Sequence, residues 1–220
     1  MPKAEYQGQV NIPYTGYSAQ GGTFSGNVTI DISNSYCATP FYDVDSGWDW
    51  AKPSVEFLRY AGISNGYSNG SFRPSRSISR GEFTLMVCRA FGFDTSAKVS
   101  SFPDVPASSP YAGAVATAQS MGIVEGSGGR FRPDSAITRQ SAMTMICRAM
   151  KAAGDKVPAT GSTILNTFSD QARIASHARE SVAALVSLGV VRGSSDMRIN
   201  PTRSIRRAEM AVILHRVLTL

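Results

Sequence analysis

Three arginines that recur in one local pattern are the residues of this 220-residue chain best suited to chemistry. Arg80, Arg139 and Arg207 each lie two residues after an isoleucine and a few residues after a proline. A guanidinium group donates paired hydrogen bonds that match carboxylate and phosphate oxygens. Each arginine is also expected at the first residue of a helix, where the helix dipole makes a cation mildly unfavourable. The repeated placement therefore predicts an anion beside each arginine.

Two sources for that anion remain open. An external carboxylate or phosphate would receive both the guanidinium and the unpaired N–H groups at the helix start. An internal aspartate from a neighbouring unit would instead pair with the arginine and hold the units together. The candidate aspartates begin the three units, at Asp43, Asp104 and Asp170.

A ring followed by alanine lies seven residues after each aspartate, as Trp50, Tyr111 and His177. Because ring faces stack on the C–H surfaces of sugars, these side chains are candidates to line a saccharide-binding groove. The alternative is that they fill the core at a helix start, as large rings in small helical units usually do.

The expected second helices have different caps. Ser79 and Glu82 form a capping box, in which the hydroxyl and the carboxylate each accept from an orphan N–H. Thr138 retains the capping hydroxyl, but Ser141 replaces the glutamate. In the third unit Arg206 replaces the hydroxyl. We therefore expect the third site, around Arg207, to be the most basic.

The elements that must position these residues repeat three times. Each unit has a first helix with apolar residues three or four apart, which a glycine ends at Gly62, Gly122 or Gly189. A second glycine, at Gly66, Gly126 or Gly193, begins a turn, and a proline then makes the chain cross as a loop. The second helix begins near the arginine. Such units are too small to bury their own apolar faces and should pack on one another, with linkers at about 93–101 and 151–167.

Residues 1–40 have a different composition and contain no arginine. The alternation in 27–33 predicts a strand with Val28, Ile30 and Ile32 on one face, and 9–12 is a second candidate strand before Pro13. Gly16, Gly21 and Gly22 would lie in the connection. Because two strands alone are marginal in water, this segment is expected to need a partner.

Composition argues against several classes of protein. No apolar run approaches the roughly 20 residues that span a bilayer, and the first residues have no signal-peptide core.

The net charge of +6 favours an acidic partner, but there is no basic helix or metal-finger spacing that would indicate nucleic acid. The sequence shows no arrangement of a nucleophile with a base that would predict an enzyme. Cys88, Cys147 and His215 occupy equivalent positions, but we expect them to point outward and not to bind a metal. The states of Cys37, Cys88 and Cys147 stay open.

The repeated motifs resemble the S-layer homology repeat of bacterial surface proteins. The match rests on Phe41-Tyr42-Asp43-Val44, Gly62-Ile63, Phe72-Arg73-Pro74 and Ile78-Ser79-Arg80-Gly81-Glu82, and on their counterparts in the other two units. It divides the chain into a β-type segment at 1–40 and repeats at 41–92, 102–150 and 168–218.

The resemblance implies a mostly α fold, in which three helix-loop-helix repeats form a pseudo-threefold spindle with grooves between repeats. It implies non-covalent attachment to an anionic, often pyruvylated, secondary cell-wall polysaccharide outside the cell, with no catalysis and no cofactor. The residues predicted to bind this polysaccharide are Asp43, Trp50, Arg80, Asp104, Tyr111, Arg139, Asp170, His177 and Arg207, with the turn glycines Gly66, Gly126 and Gly193.

A second hypothesis is that the repeats are a building block of a surface lattice or filament. In that case residues 1–40 would donate a strand to the next copy of the chain, which is a known route to assembly.

Overall fold

A computed structural model of the protein describes residues 8–17, 23–32, 41–45, 47–96 and 100–220. The chain forms two compact units, Met1–Pro40 and Phe41–Leu220.

The first unit is an antiparallel β-hairpin of β1 (Gly8–Tyr17) and β2 (Thr23–Ile32), with Val10 opposite Ile30. Both strands are longer than the sequence pattern predicted, since β1 continues through Pro13 and Gly16. A two-stranded ribbon tolerates a proline because each strand has an unpaired edge. Gly21 and Gly22, and the side-chain directions expected for Val28, Ile30 and Ile32, lie outside the described residues.

In its described residues the second unit contains six α-helices, so the expectation of a mostly α fold is confirmed. They are α1 (Lys52–Tyr60), α2 (Arg80–Ala90), α3 (Ala112–Ser120), α4 (Arg139–Ala153), α5 (Ser176–Ser187) and α6 (Arg207–Leu218). The glycines Gly62, Gly122 and Gly189 follow the first helix of each repeat at φ of +68°, +68° and +70°. Only glycine adopts this backbone conformation without strain, which is why the helices end there.

The second linker, predicted at about 151–167, contains helical structure at both ends. Helix α4 continues to Ala153 and ends at Gly154, whose φ is +90°. Two short 3-10 helices follow, at Ser162–Thr167 and Gln171–Arg173. The irregular stretch between the second and third repeats is therefore confined to about residues 155–161.

A closed ring of backbone hydrogen bonds joins the three repeats around the expected pseudo-threefold axis. The Ile78 N–H donates to the Ile205 carbonyl (3.1 Å), the Ile137 N–H donates to the Ile78 carbonyl (3.1 Å), and the Ile205 N–H donates to the Ile137 carbonyl (3.0 Å). All three isoleucines are at most 1% exposed. Each repeat thus contacts both others, and the spindle is closed rather than open-ended.

The helices follow the same cyclic order. The second helix of each repeat packs on the first helix of the next, as α2 on α3, α4 on α5 and α6 on α1, and α2 also contacts α4 and α6. The three second helices therefore form the centre, and their first residues, Arg80, Arg139 and Arg207, lie where neighbouring repeats meet.

Candidate functional site

The three helix-start arginines are anchored in the same way. In each, Nε donates a hydrogen bond to the backbone carbonyl of the apolar residue that opens the crossing loop of the next repeat. The pairs are Arg80 with Phe131 (2.9 Å), Arg139 with Ile199 (2.8 Å) and Arg207 with Phe72 (2.7 Å). This bond fixes each guanidinium at the boundary between two repeats.

The N–H groups at the start of each second helix are not available to an external anion, so that part of the expectation was wrong. The backbone N–H of Arg80 donates to the Ser135 carbonyl (2.9 Å), and that of Gly81 donates to the Pro133 carbonyl (2.8 Å). Both carbonyls belong to the crossing loop of the next repeat. The first two N–H groups of α4 and α6 are bound in the same way. An anion in the groove would therefore have to use side chains.

The three aspartates bind backbone N–H groups of their own repeat. Asp43 accepts from the N–H groups of Phe72 (2.8 Å) and Arg73 (2.7 Å) through its two carboxylate oxygens. Asp104 and Asp170 make the same pair of bonds to their own loops. Among the described residues, none of the three forms an ion pair with the helix-start arginines. Each aspartate instead holds the loop whose carbonyl anchors an arginine.

The turn glycines leave space for the phenylalanine at the start of each repeat. A Cβ on Gly193 would lie 2.6 Å from the Phe168 ring, and one on Gly66 would lie 2.6 Å from the Ser71 carbonyl oxygen. A Cβ on Gly126 would lie 2.8 Å from the Arg130 carbonyl oxygen. These glycines thus shape the turn that forms one wall of each groove.

All three repeats contribute to the first groove, which we name the Arg80 groove. It encloses about 290 Å³. Arg80 comes from the first repeat, the turn at 123–127 and helix α4 come from the second, and His177 comes from the third. His177 is exposed at the rim.

The Arg139 groove is the equivalent space one repeat further along, and encloses about 280 Å³. It combines Arg139 with the turn at 190–194, helix α6, and Trp50 of the first repeat, which is 54% exposed. Five arginines line it, together with Glu209: Arg139, Arg192, Arg198, Arg203 and Arg216.

The Arg207 groove is the third equivalent position, and Tyr67 lies in it. The Arg207 guanidinium lies 5.0 Å from the centre of the Tyr67 ring, and the Tyr67 hydroxyl donates to Glu82 (3.0 Å). Arg73 and Arg76 add positive charge nearby. Five arginines line the Arg139 groove, and Arg206 is not among them. That the site around Arg207 is the most basic of the three stays a prediction.

The three rings share their spacing from the aspartates, but they lie at different positions relative to the helix start. Trp50 lies two residues before α1, Tyr111 lies one residue before α3, and His177 is the second residue of α5. The sequence already indicates this difference. Tyr111 lies eleven residues before the glycine that ends its helix, whereas Trp50 and His177 each lie twelve residues before theirs. Tyr111 is half-buried against Gly81, where a Cβ would lie 2.5 Å from the ring.

The residue that faces each arginine from the next helix differs between grooves. Glu209 lies 3.5 Å from Arg139 and Glu82 lies 3.9 Å from Arg207. In the Arg80 groove the equivalent residue is Ser141. Among the described residues, Arg80 forms no ion pair, and its Nη2 donates to the Glu125 carbonyl (3.4 Å).

Burial shapes the protonation of these groups. It lowers the pKa of Arg80, and the nearby charge of Arg132 lowers it further, against the opposing charge of Asp104. Burial also lowers the pKa of Arg139, against the opposing charge of Glu209. For Glu209, burial acts to raise the pKa, but hydrogen bonds from Arg203 and the Arg206 N–H, with the charge of Arg139, lower it overall. Glu209 is therefore a carboxylate that partly neutralises its groove.

Cys88 and Cys147 are buried, so the expectation that they point outward was wrong. The Cys88 thiol donates to Ala114 (3.5 Å) in α3, and the Cys147 thiol donates to Ser181 (3.3 Å) in α5. His215 lies 3.0 Å from the Ser54 hydroxyl in α1. The three side chains thus turn to different helices. Cys37 lies outside the described residues.

The closed spindle of three helical repeats and its arginine-based grooves define a repeat domain of the S-layer homology class. The S-layer homology domain model matches residues 40–84, 101–143 and 167–211, and the chain belongs to this family.

Similar proteins include both enzymes and surface proteins. An amylopullulanase from Thermoanaerobacterium thermosulfurigenes is 32% identical over 88% of this chain and 10% of its own length. The exoglucanase XynX of Acetivibrio thermocellus is 31% identical over 77% of this chain and 16% of its own. A surface-layer 125 kDa protein from Lysinibacillus sphaericus is 31% identical over 77% of this chain and 14% of its own. The chain spans less than a fifth of each of these relatives.

S-layer homology domains are binding domains that generally anchor cell-surface proteins to the cell wall and bind its polysaccharides, and enzymes match this chain through such domains. Within the part of the chain that the structure describes, no helix is long and apolar enough to cross a membrane.

Proposed function

We propose that this chain anchors a protein to the bacterial cell wall by binding an anionic secondary cell-wall polysaccharide in its inter-repeat grooves. Arg80 and Arg139 supply the positive charge, and His177 and Trp50 provide rings at the rims for the sugar. Asp104 and Asp170 act indirectly, because they hold the loops whose carbonyls anchor these arginines.

The observation that carries the proposal is that Arg80 forms no ion pair among the described residues, since its guanidinium donates only to the carbonyls of Phe131 (2.9 Å) and Glu125 (3.4 Å). A partly buried cation without a carboxylate partner is destabilising, and a ligand carboxylate or phosphate would relieve this cost. The equivalent arginines have Glu82 or Glu209 nearby, whereas Arg80 faces Ser141. The Glu125 carboxylate also lines the Arg80 groove, but it pairs with Arg148 (3.0 Å). Of the three helix-start arginines, Arg80 is therefore the one without a carboxylate partner, and an external acid could take that place.

The test supplies the missing carboxylate from within. Ser141→Glu copies the glutamate of the other two repeats, so the fold should tolerate it. A charge-assisted hydrogen bond contributes about 1.5–3 kcal/mol, so affinity for the polymer should fall roughly tenfold to hundredfold. Binding is measured by titration calorimetry with polysaccharide released from isolated sacculi.

Ser141→Gln is the matched control, since it adds the same bulk without the charge and should bind nearly as the original chain does. If Ser141→Glu and Ser141→Gln bind equally well, the Arg80 groove is not the binding site. If the original chain does not bind sacculi at all, the proposed function itself is wrong.

The acid on the polymer is proposed to be a carboxylate, as in ketal-linked pyruvate. Mild acid hydrolysis of the polysaccharide removes such ketals and leaves phosphate esters in place. Loss of binding after this treatment would identify the carboxylate, whereas unchanged binding would indicate phosphate or another acid.

The β-hairpin favours a second candidate, self-association through residues 1–40. Strands β1 and β2 pair only with each other among the described residues, so each has an edge open for another strand. Deleting residues 1–40 should then reduce the particle size measured by light scattering. An unchanged size would remove this candidate and leave the anchoring proposal intact.

A further inference from the structure

The residue after the turn glycine differs between the three grooves. It is Ser127 in the Arg80 groove and Ser194 in the Arg139 groove, where it lines the open space. In the Arg207 groove the corresponding residue is Tyr67. A phenol ring thus replaces a small hydroxyl at one of three equivalent positions.

Four charged side chains hold the Tyr67 ring. Its hydroxyl donates to Glu82 and accepts from Arg76, and Arg76 also bonds Glu82 at 2.7 Å. The guanidinium of Arg73 lies 4.0 Å from the ring centre and that of Arg207 lies 5.0 Å from it. Cation and ring attract each other in this geometry, so the tyrosine is fixed rather than free to swing away.

The ring also covers the arginine that would bind an anion. Arg207 is 4% exposed, compared with 9% for Arg139, and its guanidinium lies 5.0 Å from the centre of the Tyr67 ring and 4.7 Å from that of the Phe72 ring. Glu82 lies 3.9 Å from Arg207, much as Glu209 lies 3.5 Å from Arg139, so the ring and not the carboxylate distinguishes this groove. A ligand acid would have to displace both the ring and this network to reach Arg207.

We propose that Tyr67 closes the Arg207 groove, so that the chain binds its polysaccharide through the Arg80 and Arg139 grooves only. The backbone of the spindle has three equivalent repeats, but only two of its grooves bind the polysaccharide. The inference rests on the proposed anchoring function, because it assigns which grooves carry it.

The experiment counts binding sites with short acid-carrying fragments of the sacculus polysaccharide, each small enough to occupy one groove. Titration calorimetry should give two fragments per original chain. Tyr67→Ser, which copies Ser127 and Ser194, should give three. Tyr67→Phe keeps the ring over Arg207 and should remain at two.

A second measurement does not depend on the variants folding. Nuclear magnetic resonance of the original chain follows the Nε–H signals of the three arginines during the titration. The signals of Arg80 and Arg139 should have shifted when the titration reaches saturation, and the signal of Arg207 should not.

The outcomes separate the two proposals. Three fragments bound by the original chain, or an Arg207 signal that shifts with the others, would overturn the closed groove and leave anchoring intact. An equal count for Tyr67→Ser and the original chain would show that Tyr67 does not close the groove. No binding by any variant would refute the anchoring function itself.

Discussion

Arg80, Arg139 and Arg207 make the same backbone hydrogen bond but have different neighbours. Their Nε groups all bind a loop carbonyl. Arg80 shares its groove with Ser141, Arg139 lies near Glu209, and Arg207 lies near Tyr67 and Glu82. The shared bond keeps the repeats together, and so it is retained at all three positions. The other contacts are free to vary, and they decide which groove can accept an anion.

The turn glycines should be sensitive to the smallest side chain. In Gly126→Ala the new methyl group would crowd the Phe102 ring and the Arg130 carbonyl, and overpacking of this kind costs about 1–3 kcal/mol. Urea unfolding should therefore shift to lower concentration. Gly161→Ala is the control, because its Cβ would meet nothing closer than 3.8 Å and stability should hardly change. Equal losses in both variants would contradict this explanation.

His215 should make stability depend on pH. Burial lowers its pKa, and the nearby charge of Arg216 lowers it further. The unfolded chain then binds the proton more readily, so this contribution is complete above about pH 6.5 and is lost as the pH falls through the folded-state pKa. In His215→Gln the free energy of unfolding, measured by urea titration, should change less between pH 7.5 and 5.5 than it does in the original chain. An unchanged slope would assign the pH dependence to other groups.

At the scale of elements, the helix starts have unequal caps. The capping box of Ser79 and Glu82 and the Thr138 cap predicted from the sequence are confirmed. Losing a hydroxyl cap costs about 1 kcal/mol, so Thr138→Ala should destabilise the chain by that amount. The measurement is thermal unfolding at neutral pH.

Arg206→Ala is the matched control for that cap. Arg206 is exposed, and the bond between its own N–H and Glu209 (2.9 Å) would survive the substitution. Stability should stay nearly constant. A loss as large as that of Thr138→Ala would mean that the Arg206 side chain caps α6 after all.

The sequence predicted the helices well because their signals are local. Gly62, Gly122 and Gly189 end the first helices at a positive φ that other residues avoid, and the arginines begin the second helices as expected. What the sequence could not predict is long-range. The Ser135 and Pro133 carbonyls that occupy the start of α2 belong to the next repeat, and no local pattern records that contact.

The candidate site was predicted in part for the same reason. The spacing located Arg80, Arg139 and Arg207, but it could not say that the aspartates bind backbone N–H groups, or that Tyr111 lies nearer its helix than Trp50 does. Tyr67 was missed although a signal existed. Aligning the turn glycines places it opposite Ser127 and Ser194, and a ring at a position otherwise held by serine marks the groove that differs.

At the scale of the whole molecule, the closed ring makes each repeat depend on both others. Removing the third repeat would leave the Ile78 N–H without the Ile205 carbonyl and the Arg139 side chain without the Ile199 carbonyl, while exposing the apolar face of α1 that packs on α6. A chain ending at Gly154 should therefore lose cooperative unfolding. Calorimetry should detect no single sharp transition, and gel filtration should detect an expanded or associated species.

Cutting the same connection without removing the repeat should have the opposite result. Residues 155–161 are an irregular linker, and Ala159 is exposed, so a protease site placed there should be cleaved in the folded protein. The two pieces should remain together through the isoleucine ring and the helix contacts, with one cooperative transition at a modestly lower temperature. If the nicked pieces separate, the covalent linker and not the closed ring holds the third repeat. If the chain ending at Gly154 unfolds as sharply as the original, the repeats are independent units and the ring contributes little.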